Sequence, residues 1–239
     1  MVVGRYHLGG FWSLRSHGRR QMIFVNFKTY QQGTGESALR LAQICAEVAQ
    51  ETGVQIIPIV QVADLFRLAS QGLVVWAQHV DEIEFGPYTG QILPEAILAA
   101  GAKGTLLNHS EHKLSLEKIK GILAKFKGGQ TLVCAESIEE GKQMAALKPD
   151  FLAYEPPELI GEKISVSQAR PEAIREFTSQ IKDLPILVGA GIHSGEDVRK
   201  AIELGAKGIL VSSDVVLAQE PKQELLKLIE GFRKENETI

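Results

Sequence analysis

Cysteine is nearly missing from this chain of 239 residues: only Cys45 and Cys134 occur, each inside an apolar segment and without CxxC spacing. That excludes a disulfide framework and a cysteine zinc site, fits a reducing, cytoplasmic compartment, and leaves both residues as core thiols. No apolar run approaches the roughly 18 residues that a membrane span needs. Excess charge is small too: 26 basic against 29 acidic side chains leave −3, which offers no surface to a polyanion such as a nucleic acid. No GxGxxG follows the first apolar run, which disfavours a dinucleotide-binding sheet. A soluble protein acting on a small molecule survives these exclusions, with neither nucleic acid nor membrane as partner. With 44% hydrophobic residues, the chain is long enough for one sizeable core in a single domain.

The first 21 residues, MVVGRYHLGGFWSLRSHGRRQ, differ from the rest: four arginines, four glycines, no acid, and no helical or strand period. Their RRQMIF junction resembles a twin-arginine export signal but is followed by VNFKTYQQGTGE, without the apolar core such a signal needs. An Arg-rich, acid-free composition also suits a transit peptide, although the glycines weaken any amphipathic helix. Residues 1–21 are expected to be a disordered or non-native leader, and Met22 the natural start of a domain over 22–239. That body holds 22 basic against 29 acidic side chains, or −7.

From Met22 onward, short apolar runs alternate with longer segments of helical period. The runs are continuous rather than alternating, as in strands buried on both faces. They are MIFVNF (22–27), VQIIPIV (54–60), LVVWAQ (73–78), KGTLLN (103–108), QTLVCA (130–135), DFLAYE (150–155), PILVGA (185–190) and KGILVS (207–212). Between them lie helices such as ESALRLAQICAEVAQE, with Leu39, Ile44 and Val48 near one face, and SGEDVRKAIELGA, with Ser194 as cap and Gly205 as stop. Eight strands and about eight helices close a ring, so the expected fold is a single-domain α/β protein, a (β/α)8 TIM barrel.

Function in such a barrel sits at the carboxyl ends of the strands. The first strand ends in Asn26 and Lys28, the third in Gln78, the fourth in His109, Ser110 and Glu111, and the sixth in Glu155. Within LLNHSEHK (106–113), His109 and His112 taken alone suit metal ligands, an acid/base pair, or polar residues at a helix start. His112 and His193 have no partner at ligand spacing and read as surface residues. Lys28 alone reads as a solvated lysine and Asn26 as a turn former. Strands seven and eight end in GAGIHSGED and SSD, small residues before helix starts, where backbone N–H groups approach a phosphate closely.

VNFKTY, LLNHSEHK, AYEPPELIG, GAGI and the small-residue turn after strand eight, in this order from Met22 to about Phe232, resemble the triosephosphate isomerase family in its shorter archaeal branch. The resemblance implies interconversion of D-glyceraldehyde 3-phosphate and dihydroxyacetone phosphate through an enediolate, in glycolysis and gluconeogenesis, with no cofactor and no metal. It makes Glu155 the base, His109 the electrophile and Lys28 the fixed positive charge. This family is the standard example of a neutral histidine donor beneath a closing loop, so that scheme is taken from the family and not deduced from these residues. Asn26 and Phe27 join Lys28 in binding substrate, Glu111 holds Lys28 or its neighbours, and Ser110 with Glu111 begins the following helix. Phosphate contacts fall on Ile160, Gly161, Gly191, Ser212 and Ser213. EPPELIG is the lid, with its prolines stiffening one hinge.

The chain departs from the archaeal pattern at two places. Glu162 and Lys163 replace the Thr-Gly of the second hinge, and Asp214 stands in SSD where the family has ASG. A carboxylate about 4–6 Å from a phosphate weakens binding unless it turns away, and capping its own helix is the favoured reading. Two alternatives therefore accompany the isomerase: a catalytically weak phosphosugar-binding barrel or scaffold, and another phosphate-binding barrel enzyme such as a lyase or synthase. The absence of a second strand-end lysine argues against Schiff-base chemistry in the latter. FGPYTGQILPEA (85–96) resembles the family's third loop, which docks into a neighbouring subunit, so a homo-oligomer is implied, a dimer at least and a tetramer by the habit of the archaeal branch.

Overall fold

A computed structural model describes residues 21–156 and 171–232. Eight parallel strands form a closed barrel in sequence order: β1 Met22–Asn26, β2 Gln55–Val60, β3 Trp76–Ala77, β4 Gly104–Leu107, β5 Gln130–Ala135, β6 Phe151–Tyr154, β7 Ile186–Val188 and β8 Gly208–Val211. Closure is direct, Met22 pairing with Gly208 and Val25 with Val211. The described helices are α1 Gly35–Thr52, α2 Val62–Ala69, α3 Pro94–Ala99, α4 Leu116–Lys125, α5 Ile138–Ala146, α6 Pro171–Gln180, α7 Gly195–Glu203, α8 Ser213–Val216 and α9 Pro221–Glu230. All eight strands lie within the apolar runs of the sequence.

Alternation along each strand sorts the buried residues into two layers. Met22, Phe24, Ile57, Ile59, Trp76, Leu106, Leu132, Cys134, Phe151, Ala153, Leu187 and Leu210 fill the barrel, while Ile23, Val25, Val133, Leu152, Val188 and Ile209 pack outward against the helices. Phe24, Trp76 and Phe151 form the interior's aromatic cluster, with Phe24 edge-on to Trp76 at 4.9 Å between centroids. Gly104 makes room for it, since a Cβ there would lie 2.5 Å from the Trp76 ring. Both cysteines are buried, Cys45 in the outer layer with its thiol pushed up to about 12 by burial, and Cys134 inside the barrel.

Three local expectations change. β3 is a two-residue strand instead of 73–78: Leu73 and Val74 are half-buried outside the ladder, although the Val75 carbonyl accepts from Lys103 and Gln78 N–H donates to Val60. In α1 the buried stripe is Ala38, Leu41, Ala42, Cys45 and Val48, and Leu39 and Ile44 sit half-buried at its edges. The stripe follows the i, i+3, i+4, i+7 spacing of one helix face, which Leu39 and Ile44 flank. Gln21, assigned to the leader, joins the barrel: its carbonyl accepts from Gln55 N–H, and its side-chain amide donates to the Phe232 carbonyl at 2.6 Å. Ser194 caps α7 as expected, accepting from Asp197 N–H, and Gly205 follows that helix at φ +106°.

Candidate active site

The inward-facing stripes do not stop at the core. Continued by one period of two, Phe24 leads to Asn26 and then Lys28, Ala153 leads to Glu155, Leu187 to Gly189, and Leu210 to Ser212. These residues, with His109, line one cavity of about 480 Å3 at the carboxyl end of the barrel. The same alternation corrects one expectation. Phe27, placed among the substrate contacts, points outward, is fully buried against the helices, and only its backbone bonds to β2, donating to the Ile59 carbonyl.

Lys28 occupies the left-handed region at φ +47°, which costs a non-glycine residue about 1–2 kcal/mol. Neighbours hold it there. The Asn26 side-chain oxygen accepts from Lys28 N–H at 3.0 Å, and the Gln78 amide donates to the Lys28 carbonyl at 2.8 Å. At the other end of the side chain, Nζ donates to Glu111 Oε1 at 2.7 Å, as the resemblance implied. Backbone and ammonium are thus fixed separately, and the positive charge is delivered to one place over the cavity.

His109 is buried, and its Nδ1 accepts the Glu111 backbone N–H at 3.2 Å. A ring nitrogen that accepts a hydrogen bond carries no proton, so a neutral imidazole has its N–H on Nε2. That nitrogen faces Glu155 Oε1 at 3.8 Å. Glu155 is itself buried, and its Oε2 has no hydrogen-bond donor among the described residues. Burial pushes its carboxyl above the ordinary value, against the opposing pull of His109, the Cys134 thiol and Lys28. An orphaned buried acceptor costs about 1–3 kcal/mol, and this one lies on a cavity wall where a substrate can supply the missing donor. Lewis base, N–H donor and ammonium therefore converge on one space, the set needed to move a proton beside a carbonyl.

Residues 21–232 match the family profile described as triosephosphate isomerase. The chain is 46% identical to triosephosphate isomerase of Methanothermus fervidus over 218 residues, 88% of this chain and 98% of that one. It is 45% identical to the enzyme of the same name from Methanopyrus kandleri over 219 residues, 88% and 97% of the two chains. This chain belongs to the triosephosphate isomerase family. A crystal structure of triosephosphate isomerase from Bartonella henselae superposes on 90% of this chain and 100% of that one with a TM-score of 0.70, at 21% identity, which speaks for the fold alone.

At the other end of this isomerase cavity, Gly191 (φ +61°), Ser212 and Ser213 line the wall. The Ser212 hydroxyl donates to the Asn26 carbonyl at 2.7 Å, tying β8 to β1. Ile160 and Gly161, with Glu162 and Lys163, lie outside the described residues. Ser110 and Glu111 do not begin a helix. They sit in a turn closed by His112 N–H to the His109 carbonyl, and α4 starts five residues later behind Ser115, whose side chain accepts from Lys118 N–H. Two serines compete for the cap, and the one followed by LEKIKGIL has the amphipathic run behind it. His112 is exposed as expected, stacked on His79 at 4.3 Å.

His193 and Asp214 also depart from expectation. His193 is a half-buried wall residue, and its Nδ1 meets Asp214 Oδ1 at 3.0 Å. Asp214 therefore turns to that imidazole; it lies inside the first turn of α8, whose N-cap is Ser212. Three further participants escaped the sequence reading. A Cβ on Gly189 would lie 2.5 Å from Glu155 Cγ, so only glycine leaves the base its room. Asn108, buried at φ +59°, donates to the Cys134 carbonyl and to Glu140 and accepts from Leu114 N–H, which fixes the residue before His109. Cys134 stands beside the base. The GAG motif hinted at the first; nothing in the sequence marked the others.

Proposed function

We propose that this cavity interconverts D-glyceraldehyde 3-phosphate and dihydroxyacetone phosphate. The observation that carries the reading is the buried Glu155 carboxylate, whose Oε2 has no hydrogen-bond donor among the described residues and whose Oε1 lies 3.8 Å from His109 Nε2. Glu155 removes a proton from the carbon next to the carbonyl and returns it to the neighbouring carbon. His109 donates from Nε2 to the oxygen on which charge develops, and Lys28 stabilises the resulting enediolate, so no net proton is gained or lost. Asn26 positions Lys28 by its turn. The phosphate lies against Gly191, Ser212 and Ser213, and Ile160 and Gly161 of the EPPELIG segment join these contacts by family resemblance. No cofactor or metal enters the scheme.

Four further assignments belong to the same proposal. The protein works in the cytoplasm, within glycolysis and gluconeogenesis. It assembles as a homo-oligomer, dimer or tetramer, through the loop between β3 and α3, in which Phe85 is 78% exposed and Asp81 fixes the loop base by accepting from Ile92 N–H. Residues 22–239 are the catalytic domain, with Gln21 as its first contact, and the preceding segment is an appended leader. A coupled assay of glyceraldehyde 3-phosphate conversion tests the function. Glu155→Asp withdraws the base by about one bond, and a misplacement of that size costs on the order of a hundredfold. Negligible turnover in the parent with phosphosugar binding retained would overturn the enzyme in favour of a binding barrel.

A further inference from the structure

The loops after β7 and β8 carry a charged pair that the isomerisation scheme leaves unused. His193 stands two residues beyond Gly191, and Asp214 stands next to Ser213. They are 21 positions apart in sequence, yet Nδ1 and Oδ1 are 3.0 Å apart, with the side chains 32% and 36% exposed. Both line the cavity beside the small residues that suit an anion. The loop arrangement is held from below: the buried Asp197 accepts from the His193 backbone N–H at 3.1 Å and from the Ser194 hydroxyl at 2.8 Å.

We propose that His193 and Asp214 form one charge-compensated unit that sets the affinity of the anion end of the site, tight when the imidazole is protonated and weaker when it is neutral. The proposal rests on the reading of this cavity as a triose phosphate site and adds a determinant of how strongly the phosphate is held. The contact survives either state, because a neutral imidazole still has one N–H to give Asp214. What changes is the charge. With the ring protonated, its positive charge offsets that of the Asp214 carboxylate on the cavity wall. With the ring neutral, that offset is lost and the wall beside the anion is more negative by one charge. One such charge about 6 Å from a dianion, screened almost as in water, weakens binding about tenfold. Histidine changes state within roughly pH 5–8, so the effect falls in the working range. Among the described residues, the titratable groups lining the same cavity are Lys28, Tyr30, His109, Glu155 and Asp214, with Asp197 beneath the loop.

Inorganic sulfate is the probe, because it stays a dianion over this range whereas a phosphate ester itself titrates. Its dissociation constant, measured by calorimetry on the full chain from pH 5.5 to 8.5, is expected to rise about tenfold in the parent. Asp214→Asn should hold sulfate more tightly than the parent at every pH while keeping the slope that His193 supplies, and His193→Gln should hold it weakly with a flat profile; in turnover the changes should follow KM rather than kcat. An Asp214→Asn profile that superposes on the parent's, or affinity that falls in that variant, overturns the proposal. Calorimetry needs no turnover, so the pair can fail in an active isomerase, and an inactive parent would sink the functional reading without deciding the pair.

Discussion

The two ends of the cavity are built on opposite principles. Toward β1, β3, β4 and β6, charged and polar side chains face the cavity, Lys28 held by Asn26, Gln78 and Glu111, and His109 by the Glu111 backbone. Toward β7 and β8, small residues present the backbone, and the charged side chains bind each other across two loops. The first end accepts strain, a left-handed lysine and an orphaned carboxylate oxygen, in return for fixed chemistry. The second carries no such non-glycine strain, and its charge is adjustable. Catalytic rate and anion affinity should therefore respond to different substitutions.

The sharpest break is Glu155→Gln. Removing the base should lower kcat by about 10²–10⁴-fold in the coupled assay. The same change should stabilise the fold. Because burial raises this carboxyl above its unfolded value, its contribution is fully favourable only below the unfolded value of about 4.3 and is lost as pH rises through the folded value. Glutamine escapes that loss, so thermal melts near neutral pH should gain on the order of 1 kcal/mol, roughly 2–4 °C. A variant that is both inactive and less stable would show that Glu155 belongs to the packing after all.

Next comes Lys28→Met, which removes charge at the strained end and should cost about 10²–10³-fold in kcat/KM. Gly189→Ala joins the two ends: the residue directly follows β7, but its methyl group would displace the base. A shift near 1 Å predicts about a hundredfold fall in kcat, with KM little changed. A rise in KM alone would mean that Gly189 serves the anion instead. The smallest effect concerns stability. Burial, outweighing the Asp81 hydrogen bond, holds the His79 imidazole below its ordinary value. Such a histidine stabilises least at low pH, because the unfolded chain then binds more protons; stability should fall as pH drops through about 6.5. His79→Gln should flatten that slope by less than about 1 kcal/mol in urea melts, and an unchanged slope would place the titration elsewhere.

The same division explains what the sequence disclosed. The cavity end proposed as catalytic was legible as a place because a polar or charged residue at the end of an apolar run has few structural uses, and Lys28, His109 and Glu155, all read from that position, line one cavity. All eight strands were legible for the same reason of continuous apolarity. The anion end was legible only as small residues. His193 and Asp214 were read apart, one as surface and one as cap, because their contact depends on β7 and β8 being neighbours and has no local signal. Phe27 was misread by adjacency, although alternation along β1 forces it outward between two inward neighbours. Ser110 lost the helix start to Ser115 because the competition is decided by which serine precedes an amphipathic run.

The bond between Gln21 and Phe232 has a consequence for chain connectivity. It joins the residue before β1 to one two positions beyond α9, so the ring of β/α units has its first and last elements in contact. Where the start falls is then a matter of genetics more than of mechanics. Linking Gln21 to Phe232 and reopening the chain at the exposed Gly128 between α4 and β5 would yield a circular permutant with the same eight pairings. The strand-exit loops that carry Lys28, His109 and Glu155 would remain uncut, and the barrel would begin with a different strand while enclosing the same cavity.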